Sequence, residues 1–490
     1  MPTRRVEAAR PKPPGFKALE VRAGRPAGSE NGMRRVTSWR MPVMRSGDAG
    51  SEDLTRCSGG PRAGPGRGGR AERKDYAVRR TVIVLGGGIG GLAAARHLRA
   101  RLGSEHRVVL VDRHGSHVFS PSLPWFLIGA RREAQFTMGL GALARRGIEV
   151  VVGEVVAVDA ARLRVRVAGS RAKPAALPEA QPADGASAAR PPAADPVQER
   201  TLEGDYLVIA LGADLAHRQV AGWKPAVINF YCARGARAAR EAVATFAGGT
   251  LALVIAATPF KCPAAPYEMA MLLADHFRRR RMRDRVDLHL YTPEPHPLPV
   301  AGPAVGDAVR GLLAQHGIAC HTGRRLERVE GEARTLVFAD GGRARFDLAL
   351  GVPLHRPAKV VEDAGLVDGN GWVPVDRHSL RAAAERVFVI GDLAGIPIAD
   401  GRMLPKAGVF AHRQATVVAR NIADEIAGRG PRGRFDGVGD CFIETGGGRA
   451  AFARGDFYAE PAPVLEMRGP GQLWHWAKVM VERRWMAGWV

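Results

Sequence analysis

Two places in this chain carry residue types and spacings that could do chemistry, and they are unequal. The first is Gly86-x-Gly88-x-x-Gly91, inside TVIVLGGGIGGLAAARHL (81–98), directly after an apolar run and at the head of a helical pattern. This spacing suits a pyrophosphate. Gly86 permits the tight turn, Gly88 lets phosphates approach the backbone, and Gly91 lets helix and strand pack closely. The helix N-terminus adds N–H donors and positive potential. Asp112 ends the apolar run HRVVLVD, 21 residues beyond Gly91, where a carboxylate accepts ribose hydroxyls. The second place begins alike, with LALVIAA (251–257), and then departs. Its continuation TPFKCPAAPYEMAM (258–271) holds Cys262 and three prolines where glycines would stand. Without glycines the backbone cannot come close to a second pyrophosphate, and proline removes N–H donors. Cysteine instead supplies a nucleophile and a leaving group. One nucleotide site is expected, electrons from NAD(P)H are not, and Cys262 marks where another donor enters.

The elements that must position these residues read as two α/β halves. Residues 80–112 read strand, glycine turn, helix, strand. Residues 147–167 alternate in short strands, and GDYLVIALGAD (204–214) is a buried strand ending in a turn. A second unit follows: helix 234–246, strand 251–257, helix 266–281, strand 286–291 and helix 304–316. VFVI (387–390) returns to strand, and a long helix covers about 406–427. Residues 1–78 are rich in Arg, Gly, Pro and Ser without apolar periodicity, and disorder is expected there. The Ala/Pro stretch 169–200 is a low-complexity insert at a hairpin tip.

Composition narrows the class. The chain has 490 residues and a net charge of +23, enough length for two or three cores. The first 80 residues hold 19 Lys/Arg against 8 Asp/Glu, close to half of that excess. No zinc-finger spacing or RNA-reading aromatic motif accompanies the charge, so no nucleic-acid partner is expected. Five cysteines (57, 232, 262, 320, 441) without a CxxC pair make neither a disulfide framework nor a structural zinc site. No run of about 18 apolar residues would span a bilayer, and no apolar core behind the N-terminal arginines suggests a secretory signal.

Further segments carry a resemblance. LVIALGAD (207–214), with Ala210 and Gly212, looks like the strand-turn that closes over the dinucleotide in flavoproteins with two dinucleotide-binding domains. VFVIGDLAGI (387–396) looks like their second FAD fingerprint, which maps ribityl contacts onto Gly391 and Asp392. LPKAGVFAHRQA (404–415) opens a helix whose N-terminal dipole, with Lys406, would stabilise negative charge on a reduced flavin, unless Lys406 is simply solvated. HVFSPSLPWFLIGARR (117–132), KCPAAPYEMAM (261–271) and the tail CFIETGGGRAAFARGDFYAEPAP (441–463) resemble sulfide:quinone oxidoreductases, over roughly residues 80–490.

That resemblance implies an α/β fold with two Rossmann-like, three-layer domains. The FAD-binding domain would take 79–215 and 351–430, a second domain with a degenerate NAD site 216–350, and a C-terminal membrane- and quinone-associated region 431–490. It implies FAD as cofactor, and a small sulfur substrate oxidised at cysteine, with two electrons passing through FAD to a quinone. Cys262 maps onto one family cysteine. Cys232, in INFYCARGARAAR just before a helix, maps onto another. Val367 stands about where the family carries a third. A two-cysteine variant using Cys232 and Cys262 therefore stays open. So do a flavocytochrome-type sulfide dehydrogenase, a type II NADH:quinone oxidoreductase and a non-catalytic flavin-binding protein. Cys320 and Cys441 read as core cysteines.

The last twenty residues hold four of the eight tryptophans. Trp474, Val481, Trp485 and Trp489 recur near helical spacing, with Lys478, Arg483 and Arg484 between them. Tryptophan favours membrane interfaces, and basic side chains reach for head groups. This helix is expected to attach the protein peripherally to one leaflet of the cell membrane. Homo-oligomerisation is left open.

Overall fold

A computed structural model describes residues 20–22, 78–169 and 199–489. Most of the N-terminal stretch expected to be disordered, and most of the Ala/Pro insert, lie outside the described residues.

The first apolar run becomes the strand Thr81–Leu85, with Val82, Ile83, Val84 and Leu85 wholly buried. Burial on both faces is what a near-continuous apolar strand requires, and each such side chain contributes about 1.5–3 kcal/mol. The strand is an interior member, third of seven, of a seven-stranded sheet. Its order is Val387–Val389, Tyr206–Ile209, Thr81–Leu85, Arg107–Asp112, Glu149–Asp159, Arg164–Gly169 and Glu199–Glu203. The first five are parallel and the last two antiparallel. The helices Ile89–Arg101 and Gly408–Ile426 pack on one another beside this sheet.

The second α/β unit forms a five-stranded parallel sheet in the order Val227–Asn229, Leu348–Val352, Gly249–Ile255, Val286–Tyr291, Ile318–His321. Its helices are Ala233–Thr245, Ala265–Arg279 and Pro303–Gln315, within two residues of the expected bounds. The chain is therefore α/β with two Rossmann-like halves. The helix expected from about 406 begins at Gly408 instead, because the two residues before it are held extended or in loop geometry.

The C-terminal segment is a sheet and a helix. Val438–Gly446, Arg449–Asp456 and Val464–Gly471 pair antiparallel, and Glu20–Arg22, from the stretch expected to be unstructured, pairs antiparallel with the last of them. The helix Gln472–Trp489 follows. Among the described residues no helix is long and apolar enough to cross a membrane.

The orientation of this last helix corrects the sequence expectation. Trp485 is buried, donating its indole N–H to His117 Nε2 at 3.0 Å and stacking on Phe119. Lys478 is buried in an ion pair with Glu268, and Trp474 is half-buried against Phe452. Val481 is half-buried, and the Trp489 side chain lies outside the described residues. The outward apolar residues are instead Leu473, Trp476 and Met480, each 57–58% exposed, alongside the exposed Arg483 and Arg484. Helical periodicity reveals that a stripe exists. Which stripe turns inward is set by what the core offers, here Glu268, Arg131 and His117.

Candidate functional site

The glycine turn does what its spacing predicts. Gly86 has φ +98° and donates its N–H to Val111 O at 2.8 Å. A Cβ on Gly91 would lie 1.9 Å from Gly86 O, so only glycine lets the helix start this close to the strand. At Gly88 a Cβ would meet nothing within 4 Å, leaving open space above the N-terminus of the helix Ile89–Arg101. Asp112 is held at the end of its strand by three backbone donors: Gly87 N to Oδ2 (2.9 Å), and His114 N and Gly115 N to Oδ1 (2.8 and 3.0 Å). A carboxylate has roughly four acceptor sites, so one remains for a hydroxyl.

The other expected cofactor contacts converge here. Ala210 donates its N–H to Leu85 O at 2.8 Å, and its own carbonyl lies 2.5 Å from where a Gly86 Cβ would be. Gly212, two residues on, opens on free space. Gly391 donates to Gln414 Oε1 at 2.7 Å, which ties the 387–396 segment to the helix Gly408–Ile426. Asp392 is half-buried, and burial pushes its carboxyl up against the opposing pull of Lys261 and Lys406. Open space at Gly88 and Gly212, with a fixed Asp112, makes a cradle that fits a dinucleotide.

Lys406 is not a solvated surface lysine. It is 5% exposed, donates to Asp392 O and lies 3.3 Å from the centre of the Trp372 ring. Burial drops its pKa to about 7, with Asp392 opposing.

Cys262 joins this cluster through the backbone. Its N–H donates to Lys406 O at 2.6 Å, and its carbonyl accepts from Ala265 N and from the Tyr231 hydroxyl at 3.3 Å. The residue has φ +50°, a left-handed conformation that non-glycine residues rarely hold and that clusters at functional sites. Burial pushes its thiol up to about 12. The Glu268 carboxylate pushes the same way and Lys478 pulls it down. A cysteine thiolate is therefore disfavoured here, contrary to the activation expected of a free nucleophile.

Cys232 sits at the N-cap of the helix Ala233–Thr245, where its sulfur accepts from Gly235 N at 3.4 Å and Asn229 Nδ2 at 3.6 Å. All four described cysteines are free thiols, so Cys232 and Cys262 are not joined. Cys320 lies on an edge strand of the second sheet.

Sequence assigned no role to Glu268 or His117, and gave Lys478 and Cys441 other roles than their positions here. Glu268 is 4% exposed and pushed up to about 7 by burial, with Lys478 pulling back. Lys478 Nζ reaches it from the C-terminal helix and also lies 4.7 Å from the centre of the Trp125 ring. His117 is buried, with Nδ1 against Gly87 O at 2.9 Å and Nε2 accepting from Trp485, which assigns the ring proton to Nδ1. Burial lowers its pKa. Cys441 lies half-buried on the strand Val438–Gly446, packed against the core. Trp125 and His117 stand in the segment HVFSPSLPWFLIGARR (117–132), Glu268 in KCPAAPYEMAM (261–271) and Cys441 at the head of the tail 441–463, so resemblance marked these segments without saying that they meet.

The loop after Gly249–Ile255 accounts for the second half. Its helix starts at Ala265, nine residues beyond the strand's last neighbour Ala256, and the intervening chain carries Lys261 and Cys262 toward Asp392 and Lys406. No glycine turn forms there to receive phosphates.

A family model described as pyridine nucleotide-disulphide oxidoreductase matches residues 80–415. The chain is similar to the mitochondrial sulfide:quinone oxidoreductase of Mus musculus, 24% identical over 397 residues, covering 78% of this chain and 79% of the relative. It is similar also to the type II NADH:quinone oxidoreductase NdhA of Mycobacterium tuberculosis, 24% identical over 376 residues, covering 72% and 74%. Among solved structures, the sulfide:quinone oxidoreductase from Aquifex aeolicus shares the fold with a TM-score of 0.69 at 21% identity, covering 84% of this chain and 91% of the other.

Proposed function

The chain belongs to the pyridine nucleotide-disulphide oxidoreductase family, and from that premise we propose that it binds FAD and moves two electrons from sulfide, or a related sulfur donor, to a membrane quinone. The observation that carries this reading is the position of Cys262, hydrogen-bonded to Lys406 O beside Asp392, at the far end of the dinucleotide cradle. The likeness to proteins named sulfide:quinone oxidoreductase supports a sulfur donor and a quinone acceptor.

FAD supplies reversible two-electron acceptance when bound. The chain's own residues do the rest. The helix Ile89–Arg101 would offer its N-terminus to the pyrophosphate, and Asp112 a carboxylate oxygen to ribose. Gly391 and Asp392 would hold the ribityl side. Lys406 and the N-terminus of Gly408–Ile426 would bring positive potential to the ring end. Cys262, half-buried beside Lys406 and Asp392, would handle the sulfur.

The NADH reading has the NdhA likeness in its favour. Against it stands the loop 256–264, which lacks the glycines a second pyrophosphate needs. Anaerobic absorbance separates the two. Sulfide added to the yellow protein is expected to bleach the flavin within seconds, and NADH to leave it oxidised. Bleaching by NADH alone would sink the sulfur-donor reading.

Membrane attachment, on this reading, runs through the outward face of the helix Gln472–Trp489. Leu473, Trp476 and Met480 present apolar surface to solvent, with Arg483 and Arg484 one turn further on. A bilayer surface would cover the first group and attract the second. Serine at positions 473, 476 and 480 together is expected to lower co-sedimentation with anionic vesicles about tenfold or more, with the melting temperature unchanged. Undiminished sedimentation would move the attachment site elsewhere.

A further inference from the structure

We propose that Cys262 and Cys441 are a dithiol–disulfide pair, closing across the contact between the strand Val438–Gly446 and the N-terminal end of the helix Ala265–Arg279. The proposal rests on the reading of Cys262 as the sulfur-handling residue and gives it a partner.

The strand's two ends show which way Cys441 faces. A Cβ on Gly439 would lie 2.5 Å from Phe410 Cε1, so that position abuts the helix Gly408–Ile426. A Cβ on Gly446 would lie 2.5 Å from Asp275 Cβ, so the other end abuts the helix Ala265–Arg279. Strand side chains alternate, and the bulge between Glu444 and Gly446 reverses the alternation. Gly439, Cys441, Ile443 and Gly446 therefore share the face turned to these two helices, and Ile443 is accordingly 1% exposed. Cys262 stands where the same two helices are tied together. Its N–H bonds Lys406 O, four residues before Phe410, and its chain enters the helix Ala265–Arg279 ten residues before Asp275. Between the two contacts, the strand position facing this tie is that of Cys441.

The electrostatics agree. Glu268 and Lys478 act on both thiols, and Cys441 is pushed above the ordinary thiol range by burial first and by Cys262 next. Cys232 is engaged at its own helix N-cap and Cys320 lies in the second sheet. Two thiols held above the ordinary range favour the neutral disulfide, because thiols of high pKa are poor leaving groups in exchange.

The chemistry balances. With a small-molecule disulfide as oxidant, two S–H bonds break and one S–S bond forms. Two protons and two electrons pass to the reagent, which becomes two thiols. In the working direction hydrosulfide attacks one sulfur and the S–S bond breaks. One cysteine then carries the added sulfur as a persulfide, and the hydrosulfide proton passes to the other, which leaves as a neutral thiol with no further oxidant.

The test uses the full-length holoprotein. It is treated with oxidised dithiothreitol, alkylated, digested without reduction and analysed by mass. The expected product links the peptides of Cys262 and Cys441, two hydrogens lighter than the separate thiol peptides, and disappears on reduction. Hydrosulfide added before alkylation is expected to open that link and leave one extra sulfur on one of the two cysteines. In Cys441→Ser, and equally in Cys441→Ala, Cys262 is expected to be alkylated in full, while Cys320→Ser keeps the link. A Cys262–Cys232 link, or full alkylation of Cys262 and Cys441 in the oxidised parent, overturns the pair. Sulfide-driven bleaching without the link overturns the pair and leaves the sulfur-donor reading standing. The link without bleaching leaves the pair standing and overturns that donor.

Discussion

Cys262→Ser is expected to slow sulfide-driven bleaching of the bound flavin by on the order of 10³-fold or more, with FAD content unchanged. Serine matches cysteine in shape and keeps the backbone bonds to Lys406 O and Ala265 N. It forms neither a persulfide nor a disulfide, so the sulfur chemistry is removed while the site's architecture is retained. The left-handed backbone at this position is held by those same bonds, which argues against a folding defect as the cause of any loss. Anaerobic stopped-flow absorbance measures the effect, and Cys320→Ser, in the second sheet, serves as the unaffected control. A Cys262→Ser rate within about threefold of the parent would falsify the assignment of sulfur handling to this residue.

The second large effect is structural. Lys478→Met is expected to destabilise the protein by about 3–5 kcal/mol, the usual consequence of leaving one charge of a buried ion pair without its partner. Glu268 is 4% exposed and Lys478 is 8% exposed, so neither can turn to solvent. The pH dependence follows from the raised carboxyl. A Glu whose folded pKa is about 7, above the ordinary 4.5, prefers its protonated form in the native state. Its contribution to stability is fully present below about pH 4.5 and is lost as pH rises through 7. Without Lys478 the carboxylate is harder still to accommodate, so the loss in the variant should be larger at pH 8 than at pH 5. Urea midpoints at those two pH values measure it. Adding Glu268→Gln to Lys478→Met should recover most of the loss, since it removes the stranded charge. A loss below about 1 kcal/mol at pH 8, or no recovery in the double variant, contradicts a buried pair.

This pair also bears on how the membrane reading is tested. Deleting residues 471–490 removes Lys478, Glu482 with its bonds to Arg131 and Ser122, and Trp485 with its bond to His117. The deletion would therefore disturb the fold itself. Leu473, Trp476 and Met480 point outward, and their substitution changes only the surface.

What the sequence by itself determined is what neighbouring residues can specify together. The turn at Gly86, Gly88 and Gly91 is a local geometry that a few adjacent residues dictate, and Asp112 follows at the distance one helix and one strand impose. The helix Pro303–Gln315 and the strand Val286–Tyr291 were legible because period and propensity agree there. Cys262 was legible as a residue out of place, breaking the glycine pattern its strand announces. The tertiary structure alone decided what meets across the chain. Glu268 and Lys478 are 210 residues apart, and nothing in the spacing of either announces the other. Lys478 and Trp485 read as an outward basic and aromatic stripe because periodicity defines helical faces without saying which one the core accepts. Cys441 read as an ordinary core cysteine because its meaning depends on the parity of a bulged strand and on the helices that strand lies against. Local conformation is set over a few bonds. The face that turns inward, and the charge it must satisfy, are set by desolvation in the assembled core.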